Sequence, residues 1–246
     1  MAINEESDDN GMKIEIVDFD KISNAYHFVT SSHDDIVDDF DSSGSIICVN
    51  KNDFNKGLKI YKDYAEIRFL VDNNLLNFAI VHNSDFNFLL KLQERKKNIK
   101  LTEFPDGLVA YHNYIIGQKI PFYPNCANVL NYCSKLSDKN DVLCIYIKCI
   151  NILKELYENG IIYEDVHYMN FLVDDLENVH LIDFDSSYVC FNNDRKYYNL
   201  MISNLKRMIG IINGYLKIDM EDIFYMNSLD EILNVIQNEY NNLKKR

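Results

Sequence analysis

The chain has 246 residues, 47% of them hydrophobic, and Lys+Arg 25 against Asp+Glu 38 leave a formal net charge of −13. That size supports a substantial core in one large domain or two small lobes, while the negative charge sets a phosphate backbone or an anionic membrane against net repulsion, so neither nucleic acid nor membrane is expected as a partner. Six cysteines without a CxxC pair or a histidine at zinc spacing, an acidic amino terminus and no run of about 18 apolar residues read as a reduced, cytoplasmic protein without signal peptide or membrane span.

In chain order, residues 1–11 read as an acidic, solvated tail. The alternating stretch MKIEIVDF at 12–19 predicts a strand, as do SIICVN at 45–50 and GLKIYK at 57–62, which the polar turn KNDFNK joins. From Tyr64 to about Glu94 the pattern is helical, expected in two pieces broken around VHNSD. Residues 107–120 predict a hairpin that runs into PFYP, where two of the three prolines mark a boundary between domains at about 123/124.

Beyond that boundary, NDVLCIYIKCINILKELYENG at 140–160 predicts a strong helix, with Asn140 or Asp141 to cap its start and Gly160 to take the left-handed position past its end. NFLV at 170–173 and VHLIDF at 179–184 flank the turn DDLEN and predict a second hairpin. Residues 196–246 read as helical, and Ser228 with Glu231 forms a capping-box start for the last helix.

The stretch YEDVHYMNFLVDDLENVHLIDFD at 163–185 sets Asp165, Asn170 and Asp183 around two strand-like runs directly after the strong helix. An Asp five residues before an Asn also occurs at Asp72/Asn77, Asp194/Asn199 and Asp222/Asn227, and DFD recurs at 18–20 and 39–41. Only Asn170 among those asparagines is followed thirteen residues later by an Asp, and only that set lies between a capped helix and a hairpin. The alternative is a hairpin with exposed carboxylates, which leaves unexplained why Asp183 follows apolar HLI rather than sitting in a turn.

This order of elements and this motif resemble the protein kinase-like superfamily. The resemblance implies an α+β, two-lobed protein kinase-like fold: a small β-rich nucleotide-binding lobe at 12–123 and a mainly helical catalytic lobe at 124–246. It also implies ATP and Mg2+ as cofactors, Asp165 as the catalytic base, and Asn170 and Asp183 as metal ligands. Phosphoryl transfer builds charge on phosphate oxygens and needs in-line placement, so hard oxygen ligands matter more than a strong nucleophile.

For the upper lobe, the resemblance implies a strand lysine on the phosphates. Lys59, on the opposite strand face from Leu58 and Ile60, is the candidate, Lys62 the fallback, and a solvated strand lysine the plain alternative. Asp85, ahead of FNFLLKLQER, and Glu66 are the candidates for its helix carboxylate. Gly44 is the single glycine of the stretch expected to cover the phosphates. Ile120 falls at the gate to an adenine pocket, and Phe122 or Tyr123 must supply the backbone donor to adenine because Pro121 has none.

Departures from the family pattern are equally specific. Tyr163-Glu164 replaces the usual His-Arg, Asp185 stands where a glycine is common, and no Ala-Pro-Glu-like motif follows. His167 gives a DxHxxN pattern resembling aminoglycoside- and choline-type kinases, or packs as a structural histidine. The expected function is transfer of the ATP γ-phosphate to a hydroxyl, with a protein acceptor favoured. The alternatives are a small-molecule kinase and a non-catalytic, pseudokinase-like module that binds nucleotide or a partner.

Overall fold

The computed structural model describes residues 6–7, 13–18, 25–28, 45–61, 78–111, 114–185, 189–191 and 194–245. The chain divides into two compact units, one of residues 1–97 with 104–124 and one of 98–103 with 125–246. Its mix of strands and helices is α+β, and among the described residues no helix is long and apolar enough to cross a membrane.

The first unit is built on a seven-stranded sheet in the order β1-β2-β6-β7-β5-β4-β3. Its strands are β1 (Glu6–Ser7), β2 (Lys13–Asp18), β3 (Tyr26–Phe28), β4 (Ser45–Asn50), β5 (Lys56–Tyr61), β6 (Gly107–Tyr111) and β7 (Tyr114–Pro121). All neighbours pair antiparallel except β2 and β6, which run parallel. Three of these strands and the 107–120 hairpin fall where the alternating sequence puts them. Glu6 and Ser7 pair with Ile14 and Lys13, inside the segment expected to be a solvated tail.

The centre of the sheet is tight. Gly117 faces Ile60 across β5 and β7, and a β-carbon there would stand 2.2 Å from the Lys59 carbonyl oxygen. The backbone of Lys59 thus occupies the place a side chain would take, so this position needs glycine. The helix α1 (Phe78–Lys96) belongs to the same unit and runs unbroken through VHNSD, which corrects the expected break there. His, Asn, Ser and Asp weaken a helix by well under about 1 kcal/mol each, whereas a break needs glycine or proline.

The second unit holds α2 (Val129–Cys133), α3 (Lys139–Glu158), α4 (Arg195–Leu216), a 3-10 turn (Glu221–Tyr225) and α5 (Leu229–Lys244). Two small sheets accompany them: β11 (Val179–Leu181), β10 (Phe171–Val173) and β8 (Ala127–Asn128) in that order, and β12 (Val189–Cys190) on β9 (Ile162–Tyr163). The cap of α3 is Asp138, whose carboxylate accepts from the Asn140 N–H, in place of the expected Asn140 or Asp141.

At its other end the helix stops as expected. Gly160 has φ 73, its N–H donates to Tyr157 O, and the Ile161 N–H reaches back to Leu156 O at 2.9 Å. That pair of bonds satisfies the last carbonyls and turns the chain straight into β9. Ser228 caps α5 by accepting from the Glu231 N–H, while Glu231 reaches back to the Asn227 N–H rather than to that of Ser228.

The core of this unit lies between α3, α4, α5 and the small sheets, where Tyr146, Leu153, Phe171, Leu205, Ile209 and Ile232 are buried. Residues 98–103, which follow α1, are held here. Lys100 N–H and Leu101 N–H donate to the two oxygens of the Glu155 carboxylate at 3.0 and 2.8 Å, and Thr102 donates to Leu181 O. None of the six cysteines is joined to another in a disulfide.

Candidate active site

The second unit brings Asp165, Asn170 and Asp183 together by three local devices. β9 carries the chain out of α3 to Tyr163; a turn at 167–170 follows, with the Asn170 N–H donating to His167 O; and β10 pairs with β11 to return the chain to residue 182. The Ile182 N–H then donates to Asn170 O at 3.0 Å, which fixes Asp183 one peptide beyond the Asn170 backbone.

Asn170 is the hub. It is only 5% exposed, and its Nδ2 donates to Asp165 Oδ2 at 2.9 Å, to Asp165 O at 3.0 Å and to the Tyr163 hydroxyl at 2.8 Å. An amide nitrogen has two protons, so this one is fully committed and fixes the orientation of the group. Oδ1 is therefore the atom Asn170 can offer to a cation.

Tyr163 joins the third member. Its hydroxyl donates to Ile182 O at 2.9 Å, with Asp183 O at 3.4 Å, and its ring meets Phe184 edge-on at 5.3 Å. Burial pushes the Tyr163 phenol well above its ordinary value, and the Asp183 and Asp165 carboxylates push it the same way. It stays protonated and keeps its donor role at neutral pH. Asp183 itself has φ 67, in the left-handed region where a non-glycine residue stores about 1–3 kcal/mol of strain. The hydrogen bonds on either side hold that conformation, and buried Phe184 anchors the next residue.

His167 packs against the same carboxylate. The Met169 N–H donates to its Nδ1 at 3.2 Å, so the neutral ring carries its proton on Nε2, which faces Asp165 Oδ2 at 3.3 Å. Oδ2 thus meets both an amide donor and an imidazole donor. The bond from the Met169 N–H is the backbone hydrogen bonding that a structural histidine makes.

One residue here escaped the sequence reading. Asn204 of α4 donates from Nδ2 to Glu164 O at 2.7 Å and so ties the loop to the helix beneath it. The signal available was a polar residue on the edge of the buried stripe Met201, Leu205, Met208, Ile212.

The residues expected around the nucleotide lie in the first unit. Lys59 pairs with Gln118 across β5 and β7 and is 7% exposed, so it is not the solvated strand lysine of the plain alternative. Ile120, opposite Gly57 at the end of β7, is half-buried, as are Phe122 and Tyr123. The Phe122 N–H, one of the two donors expected at adenine, donates instead to Asn55 O at 2.8 Å. Asp85 lies in α1, though its side chain is outside the described residues, as are Gly44, Lys62 and Glu66 altogether.

Among the described residues no group of three or more His, Cys, Asp or Glu converges to hold a metal by itself. A neutral amide oxygen and a carboxylate are nonetheless the donor set that suits Mg2+, which binds through one or two protein oxygens and keeps waters and substrate phosphates for the rest. The residues present fit that ion and do not fit a closed protein cage for a transition metal.

No family model matches the chain. It is 32% identical over 111 residues to serine/threonine-protein kinase 1 of African swine fever virus isolate Tick/Malawi/Lil 20-1/1983, and 31% identical over the same length to that of isolate Pig/Kenya/KEN-50/1950. Each match covers 44% of this chain and 35% of the relative, so the chain spans about a third of the length of the curated relatives it matches. The similarity supports a kinase-like protein.

Proposed function

We propose that the chain is an ATP- and Mg2+-dependent phosphotransferase of two-lobed, protein kinase-like build that moves the ATP γ-phosphate to a hydroxyl, with a protein acceptor favoured. The observation that carries this reading is the Asn170 amide, bonded at once to Asp165 and to the Tyr163 hydroxyl that reaches Asp183. A hairpin with incidental carboxylates has no reason to bury an amide between them.

In this reading Asn170 Oδ1 and the Asp183 carboxylate would hold Mg2+, which when bound would neutralise charge on the phosphate oxygens. Asp165, oriented through Oδ2 by Asn170 and His167, aligns the acceptor hydroxyl and takes its proton as the new O–P bond forms and the bond to the ADP oxygen breaks. Lys59 of β5 is the phosphate cation of this reading, with Asp85 or Glu66 as its carboxylate partner. Gly44 covers the phosphates, Ile120 lines the adenine pocket, and Tyr123 supplies the backbone donor because the Phe122 N–H is committed to Asn55.

The test is ATP turnover and phosphate transfer to a generic protein substrate, with Asp165→Asn and Asp183→Asn. Both variants are expected to lose at least about a hundredfold in kcat, general base action alone contributing about 10²–10⁴. Undiminished turnover in either discards the role given to that residue, and no thermal shift of the wild type with ATP and Mg2+ discards the whole reading.

A further inference from the structure

Beside Asp165 the second unit carries a cavity of about 340 Å³, lined by the loop residues Asp165, His167, Tyr168 and Met169 and by Arg207 and Ile211 from α4. Arg207 and Ile211 lie one turn apart on the helix face that also carries Asn204, whose bond to Glu164 O fixes this face against the loop. The cavity is therefore a place where the loop and the helix are held in register. Asn170 and Asp183 do not line it. Asp165, the base of the proposed reaction, is itself part of the lining, so a hydroxyl held in the cavity would lie beside it.

Its chemistry is selective. Asp165 is the sole acid among the lining residues, and Arg207 brings a permanent, exposed positive charge. Among the described residues Arg207 makes no hydrogen bond or ion pair, so its guanidinium is available to a ligand. Tyr168, Met169 and the 41% exposed Ile211 offer an apolar wall for the body of a side chain. An aminoglycoside or choline acceptor carries ammonium groups and needs carboxylates around it. This wall offers it a guanidinium instead.

We propose that this cavity receives the hydroxyl side chain of an acceptor peptide and that Arg207 selects peptides with a carboxylate or phosphate beside that hydroxyl. The proposal rests on the phosphotransferase reading for the role of Asp165, but the selectivity of the cavity can be measured without turnover. It also runs against the bulk electrostatics: a chain of net charge −13 repels acidic peptides, so any preference for them has to arise from a local cation.

The experiment measures fluorescence anisotropy of labelled peptides on the full chain, each peptide holding one serine flanked by aspartates, phosphoserines, alanines or lysines. The wild type is expected to bind the aspartate and phosphoserine peptides about tenfold tighter than the lysine peptide, the scale of one guanidinium–anion contact. Arg207→Glu should reverse the order, and Arg207→Lys should keep the direction with a smaller ratio. Arg207 is exposed, so the melting temperatures of these variants should match the wild type and show them folded.

Equal binding of all peptides, no binding of any, or an acidic preference that Arg207→Glu leaves intact overturns the proposal. A preference for aspartate but not phosphoserine, or the converse, supports the cavity and says which anion it takes. Acid-selective binding that depends on Arg207, with no phosphate transferred from ATP to the bound peptide, supports the cavity while refuting the phosphotransferase reading.

Discussion

Tyr163→Phe isolates the hydroxyl that ties the candidate triad together. The ring is fully buried and would keep its edge contact with Phe184, so no cavity opens. What disappears is one bond donated to Ile182 O at 2.9 Å and one accepted from Asn170 Nδ2 at 2.8 Å. Each is worth about 1 kcal/mol net, and the orphaned carbonyl adds to the cost, so the variant should lose about 2 kcal/mol. For a chain of this size that is about 4–8 °C in melting temperature. The Asn170 bonds to Asp165 survive, so the base side of the site keeps its geometry while Asp183 loses its tie. The functional consequence should then fall on metal: the Mg2+ concentration that half-saturates ATP turnover should rise about 10–100-fold, the range for losing a group that orients a metal ligand. Thermal melts and Mg2+ titrations of turnover read the two effects separately. A variant with the wild-type melt and the wild-type Mg2+ titration refutes the reasoning.

Three further perturbations follow from other parts of the fold. Gly117→Ala drives a β-carbon to 2.2 Å from the Lys59 carbonyl oxygen, so β5 and β7 must part, and urea unfolding should show a loss of about 2–4 kcal/mol. Glu155→Ala removes the acceptor for the Lys100 and Leu101 N–H groups and should cost about 1–2 kcal/mol, with faster amide exchange at those two positions. Burial pushes the Asp174 carboxyl up, but the hydrogen bonds from Asn178, His180 and the Leu176 N–H outweigh it and hold the group below its ordinary 3.8. A depressed pKa means that its stabilisation is present above that ordinary value and is lost as pH falls through the lower folded value. Asp174→Asn should therefore be less stable than the wild type at pH 7, and the gap should close towards pH 3 in chemical unfolding; a gap that does not change with pH contradicts this.

What the sequence discloses here depends on how locally each feature is determined. The helix at 139–158 is legible because twenty residues repeat an apolar stripe and a glycine ends it in the left-handed conformation. The two-residue strands β8, β9 and β12 are not, since two residues cannot show an alternation. Their pairing is set by tertiary contacts such as Val189 opposite Tyr163. Asp165, Asn170 and Asp183 are legible as a spacing, because loop length and hairpin length are local quantities. The Tyr163 hydroxyl and Asn204 are not, for each acts on a backbone carbonyl that lies 19 or 40 residues away. The sequence assigns no element to 98–103, and it is the bonds to the Glu155 carboxylate and to Leu181 O, both distant in the chain, that tie it to the second unit.

The replacement of His-Arg by Tyr163-Glu164 gains a physical account from these contacts. The resemblance gives an arginine at this place a pairing role with a phosphorylated segment, and here residues 162–164 are held by other bonds. β12 pairs directly with β9, Cys190 opposite Ile162 and Val189 opposite Tyr163, and α4 begins at Arg195. The strand pairing orders residues 162–163 without a cation at residue 164. The backbone carbonyl of Glu164 is instead taken by Asn204, and burial raises its carboxyl with Lys196 pulling it back. Tyr163, by hydroxyl and ring, holds Asn170, the 182–183 backbone and Phe184 in one arrangement.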